Sequence, residues 1–81
     1  MRINVLYFAQ ARERAGRSSG SLELPEGSRV ADALTAIRRG APALDPLWPH
    51  LAVAVDGVLV AADAALREGA ELALLPPVSG G

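Results

Sequence analysis

The 81-residue sequence predicts an α+β fold, a mixed sheet of about five strands packed on one main helix. Two observations lead there. A single stretch, GSRVADALTAIRRG, has a clear helical stripe, and strand-like runs flank it in the order β-β-α-β-β-β. That order supplies too few helices for a doubly wound sheet and one helix to cover one face of a small sheet. A chain of this length holds one core and so one domain, assigned to residues 1–75, with residues 76–81 as an extended tail.

Each element has its own signal. INVLYF is β-branched and aromatic and too short for a helix, so residues 2–8 read as a strand. QARERAGRSSG reads as a polar loop. SLELP sets Leu22 and Leu24 on one face and stops at Pro25, as a second strand. In the helix, Val30, Ala33, Leu34 and Ile37 form the i, i+3, i+4, i+7 stripe, with Ser28 as the expected N-cap. Arg38 and Arg39 suit its negative C-terminal end, and Gly40 is placed to terminate it. APALDPLWPH is broken by proline and reads as irregular, with room for a short helical turn. LAVAVDGVLV joins two apolar runs through Asp56-Gly57, the chemistry of a type I′ hairpin turn. AADAALREG is a connection, and AELALL is a final strand running into Pro76 and Pro77. The arrangement is that of a β-grasp, with residues 2–8 and 71–75 as adjacent parallel strands over the helix. A ferredoxin-like split βαβ would need a second helix between Ala61 and Gly69, which is too short a stretch.

Composition narrows the functions. Twelve leucines and seven valines against one Phe, one Tyr and one Trp specify an aliphatic core. No stretch approaches the roughly 20 apolar residues of a membrane span, and the start lacks a signal-peptide pattern, so a soluble cytoplasmic protein is expected. There is no cysteine, so neither a disulfide scaffold nor a Cys-based metal site is available, and any sulfur chemistry uses sulfur from elsewhere. Eight arginines against nine acids leave a net charge of −1, no field to attract nucleic acid. All the cations are arginine, for which coding bias is the plain reading; the sharper reading is that a chain with an activated end gains by lacking side-chain amines. His50 is the one histidine, without a partner at ligand spacing, and reads as solvated. Trp48 reads as a core or lid residue. No Ser-His-Asp order, phosphate loop or carboxylate pair appears, so no catalysis by this chain alone, no bound cofactor and no metal are expected.

Two features remain. Strand alternation turns Ile3, Val5, Tyr7, Leu72 and Leu74 towards the helix and leaves Leu6, Phe8, Ala73 and Leu75 on the other face, with Leu59 also outward. Such a cluster beside an unusual tail reads as a partner-binding patch. The tail is LLPPVSGG. Pro76 and Pro77 end the ladder, and Val78, Ser79, Gly80 and Gly81 follow as a thin probe; residues 76–81 span at most about 20 Å. A carboxylate with no neighbouring bulk suits acyl chemistry, which begins by activation as an acyl adenylate from ATP on a separate enzyme. The activated carbonyl then accepts sulfur, giving a thiocarboxylate, or an amine, giving an amide.

Here the sequence resembles a known family, the ubiquitin-like sulfur carriers that form the small subunit of molybdopterin synthase. The likeness covers the whole chain: VLYFAQARERAG resembles the opening strand and Arg-Glu loop, LAVAVDGVLV the central hairpin, and REGAELALLPPVSGG the closing signature. VDG stands where many relatives have an Asn-containing turn. The resemblance implies that Gly81 is adenylated by an adenylating enzyme of the ubiquitin-activating type and converted to a thiocarboxylate. It implies that residues 76–81 then enter the synthase large subunit, within a heterotetramer, to donate sulfur for the dithiolene of the pterin that holds molybdenum or tungsten. Phe8, Leu59 and Leu75 would lie on the contact surface with Arg12 in the Arg-Glu loop, and the catalytic side chains would belong to the large subunit. A sulfur carrier for thiamine, an amino acid or tRNA, a protein modifier ending in an isopeptide bond, and a noncovalent adaptor remain the rivals.

Overall fold

The segment from Arg2 to Tyr7 alternates buried and exposed residues, as a strand with one face on a core must. In the computed structural model, which describes residues 1–76, it is strand β1. Helix α1 follows over Ala9–Ala15, then strand β2 over Ser19–Glu23 and helix α2 over Val30–Gly40. A 3₁₀ helix over Pro42–His50 leads into the hairpin of β3 (Ala52–Val55) and β4 (Val58–Leu59), and β5 (Glu71–Leu75) closes the sheet. The strand order is β2-β1-β5-β3-β4. The two terminal strands, β1 and β5, pair in parallel with Val5 opposite Leu72 and Tyr7 opposite Leu74. The other pairings are antiparallel. This is the expected β-grasp: a mixed sheet with the first and last strands inside it and α2 across one face.

The core follows from the two periodicities. Ile3, Val5, Leu72 and Leu74 on the sheet and Val30, Ala33 and Ile37 on α2 are all buried, and Leu34 packs at their margin. Leu44 of the 3₁₀ helix is fully buried among them. Trp48 is half-buried against the same core. The guanidinium of Arg38 lies 5.4 Å from its ring centroid, and Arg38 Nε donates to Asp45 Oδ1 at 2.8 Å, which ties this segment to α2.

Four sequence readings are corrected. The expected polar loop after β1 contains α1, whose Gly16 takes the left-handed conformation (φ 76°) and donates its N–H to Arg12 O at 2.9 Å, a regular helix stop. β1 ends at Tyr7, and Phe8 is extended at the entrance to α1. The N-cap position of α2 is Arg29, whose N–H donates to Asp32 Oδ2 at 2.8 Å; the Ser28 hydroxyl donates instead to Pro25 O. Finally, α2 includes Gly40 and is capped at Ala41. No helix occupies residues 61–69, so the split βαβ alternative fails.

The hairpin turn forms as Asp56-Gly57 predicts, with φ of 51° and 85° at the two central residues. Asp56 Oδ1 also accepts the N–H of Glu71 at 3.0 Å, joining the turn to the start of β5. Gly57→Ala is expected to cost about 1 kcal/mol, because an added Cβ disfavours left-handed backbone although the space around it is open. Urea denaturation read by tryptophan fluorescence checks this; an unchanged midpoint would mean that the turn relaxes freely.

Candidate functional site: an apolar sheet face at the exit of the C-terminal tail

Because β1 and β5 are parallel, both end at the same edge of the molecule, and so Phe8 and Leu75 come together there. Phe8 keeps extended geometry (φ −115°, ψ 148°), so the alternation of β1 continues and its ring follows Leu6 onto the face opposite α2. Its backbone is held from both sides: its N–H donates to Leu74 O at 3.4 Å, and its carbonyl accepts from Ala11 at 3.0 Å and Arg12 at 3.3 Å. Ala9, with φ 48°, is the left-handed residue that turns the chain from β1 into α1.

Register defines the rest of the face. Leu6 stands opposite Ala73, Ala73 opposite Ala54, and Ala54 opposite Leu59, a continuous apolar row across four strands. Leu75 sits beside Ala52 in the next row. The alanines keep the middle low while larger side chains stand at the margins, with Phe8 43% and Leu59 68% exposed. Three strand spacings separate Leu6 from Leu59, about 14 Å. Ala54 itself is buried, so the exposed apolar side chains are those around it, and their grouping on one face makes it a candidate interaction surface.

Arg12 lies exposed on α1, one residue past fully buried Ala11, within a helical turn of Phe8 and at the same end of the sheet. The structure thus gathers Phe8, Leu75 and Arg12 around the point where β5 ends, with Leu59 on the same face towards the far edge. Pro76 is half-buried directly after β5. Pro77, Val78, Ser79, Gly80 and Gly81 lie outside the described residues. Helix α1 is the element that sequence reasoning missed; AQARERA followed by Gly16 carried its signal in helix-forming residues and a C-terminal glycine.

Other candidates fall away or change place. His50 is exposed, and no cluster of His, Cys, Asp or Glu among the described residues could hold a metal ion. No described helix is long and apolar enough to cross a membrane. On the α2 side, Tyr7 is 8% exposed, and burial raises its phenol pKa above the ordinary 10.0 against the opposing charge of Arg17.

Comparison with known proteins bears on the family and the fold. The ThiS family profile matches residues 5–81. The molybdopterin synthase sulfur carrier subunit of Chlamydomonas reinhardtii is 40% identical over 83 aligned residues that cover all of both chains. Small archaeal modifier protein 1 of Haloferax volcanii is 37% identical, with 91% of this chain and 94% of that protein covered. The crystal structure of SAMP1 from the same organism superposes with a TM-score of 0.90 at 32% identity, covering 100% of each chain. The chain belongs to the ThiS family, and the likeness to molybdopterin synthase sulfur carrier subunits first read in LLPPVSGG extends over its whole length.

Proposed function

We propose that this chain is the sulfur carrier subunit of a molybdopterin synthase and that Gly81 is its reacting residue. The observation that carries the reading is the convergence of the apolar face, Arg12 and the end of β5 at one place, directly before PPVSGG. A large subunit docked on Leu6, Phe8, Leu59 and Leu75 would receive the tail as a consequence of docking. The end-to-end likeness to a curated sulfur carrier supports the same conclusion.

The chemistry runs in three steps. An adenylating enzyme joins the Gly81 carboxylate to AMP from ATP and releases pyrophosphate. Hydrosulfide-level sulfur from a donor then displaces AMP, leaving a thiocarboxylate. In the large subunit that sulfur bonds to a carbon of the cyclic pterin precursor as a C–O bond of that carbon breaks. Water then cleaves the acyl–sulfur bond, returning the Gly81 carboxylate and leaving the sulfur on the pterin; two such transfers supply both sulfurs of the dithiolene. This chain contributes docking, reach and an unhindered carbonyl, with the catalytic side chains in its partner and no cofactor of its own. Co-expression with a molybdopterin synthase large subunit tests the reading: a stable complex that converts precursor to dithiolene is expected, and its absence would overturn it.

A second reading, a protein modifier, is favoured by the 37% identity to a small archaeal modifier protein. It shares the adenylate and differs in the acceptor, since a lysine amine would then take the acyl group. Isopeptide-linked Gly81 on other proteins after activation would establish it.

A further inference from the structure

The sheet has a second exposed feature on the opposite side from the apolar face. Strand β2 is at the sheet edge, and the phase of its pairing is fixed: Tyr7 N–H donates to Ser18 O, and Leu24 N–H donates to Met1 O. In an antiparallel pair the bonded positions alternate, so Gly20 and Leu22 face β1 while Ser19, Ser21 and Glu23 direct their N–H and C=O groups outward. Such an edge is a template for another strand.

Directly beside this edge, between β2 and the C-terminal half of α2, is a hollow of about 120 Å³. It exists because the walls are low: Gly20, Ala36, Gly40 and Ala41 contribute almost no side chain. Leu22 and Ile37 give it an apolar side, and Tyr7 and Arg17 a polar one. Tyr7 as a residue is 8% exposed, and its hydroxyl makes no hydrogen bond among the described residues; since no buried polar side-chain atom there is left without a partner, that hydroxyl is the part of Tyr7 that stays open to solvent at the hollow it lines. Arg17 lies over Gly20, where a Cβ would stand 3.3 Å from its Nη1, and Arg17 has no ion pair among the described residues. A phenol O–H and a guanidinium, both able to donate, therefore converge on a space with no acidic lining residue.

The geometry points to the β2–α2 groove as a docking site for an extended acidic segment of a partner protein, whose backbone adds to β2 and whose carboxylate is held by Tyr7 and Arg17. In a strand laid along β2, alternate side chains enter the hollow, so the matching pattern is one apolar and one acidic residue two positions apart. Main-chain bonds to Ser19, Ser21 and Glu23 would supply affinity, and the hollow selectivity. The groove lies across the sheet from Leu6, Ala54 and Leu59, so it stays open when that face is covered, and it does not depend on what Gly81 does.

The test is a titration of the ¹⁵N-labelled full chain with acetyl-Thr-Val-Thr-Glu-Thr-amide at millimolar concentration, followed by NMR. Saturable shifts are expected at the amides of Ser19, Ser21 and Glu23. Replacing the peptide glutamate by glutamine, or Tyr7→Phe, should weaken binding about tenfold, the scale of one charge-assisted hydrogen bond. Arg17→Glu, at an exposed position that leaves the core untouched, should abolish binding and restore it for the peptide with lysine in place of glutamate. Four results would each overturn the proposal: no saturable shift, equal binding of the glutamate and glutamine peptides, shifts confined to Leu6, Ala54 and Leu59, or free glutarate binding as tightly as the peptide.

Discussion

Removing Gly81, or adding one residue after it, is expected to abolish thiocarboxylate formation while leaving the melting temperature nearly unchanged. The loss of activity follows from reach. One further residue displaces the reacting carbonyl by about 3.5 Å, well outside the geometry in which an adenylating site can align it with ATP. Deletion withdraws the carbonyl by the same amount and places Gly80 at the end. The retained stability follows because the buried core runs from Ile3 to Leu74, and the strand that closes it ends at Leu75. Intact-protein mass spectrometry after incubation with ATP, an adenylating enzyme and a sulfur donor should show one oxygen exchanged for sulfur in the native chain only. Equal sulfuration of the extended chain, without trimming, would place the chemistry elsewhere.

The parts of this fold that were legible in the sequence are those in which one local rule was sufficient. Asp56-Gly57 specifies its turn because few residues accept positive φ at two successive positions, and Val30, Ala33 and Ile37 mark α2 because their spacing gives one buried stripe. The apolar face was legible for the same reason: a period of two assigns Leu6, Phe8, Ala73 and Leu75 to one side before any contact is known. Helix α1 was legible only through its helix-forming residues and Gly16, without the apolar stripe that marks a helix at sight. Its buried face consists of Ala11 and Ala15, too small to stand out as a stripe, and four of its neighbours are charged or polar. The capping of α2 was misread because the helix starts one residue later than the serine suggests: Arg29 holds the N-cap position with its N–H donated to the Asp32 carboxylate, and the Ser28 hydroxyl, one residue outside, donates to Pro25 O. The β2–α2 hollow could not be read from the sequence at all. It arises only when Gly20 and Gly40, distant in the chain, are brought to opposite walls by the packing of α2 on the sheet.

Phe8→Asp is expected to leave the fold intact and to weaken association with a molybdopterin synthase large subunit by about thirtyfold or more. The fold should survive because the ring is 43% exposed and because Phe8 serves the structure through its backbone, which the substitution keeps. Association should suffer because the substitution places a carboxylate in the apolar contact at the end of β5, beside the exit of the tail. A charge buried without a partner at an interface costs about 2–5 kcal/mol, and the lower figure already corresponds to roughly thirtyfold in Kd. Leu59→Asp, on the same face at the far edge strand, is expected to have a smaller effect, since a carboxylate at the rim keeps part of its water. The ratio of the two, measured by calorimetry or size-exclusion binding, locates the centre of the interface. A large effect at Leu59 with none at Phe8 would move that centre away from the end of β5, and the tail would then no longer be delivered by the docking surface beside it.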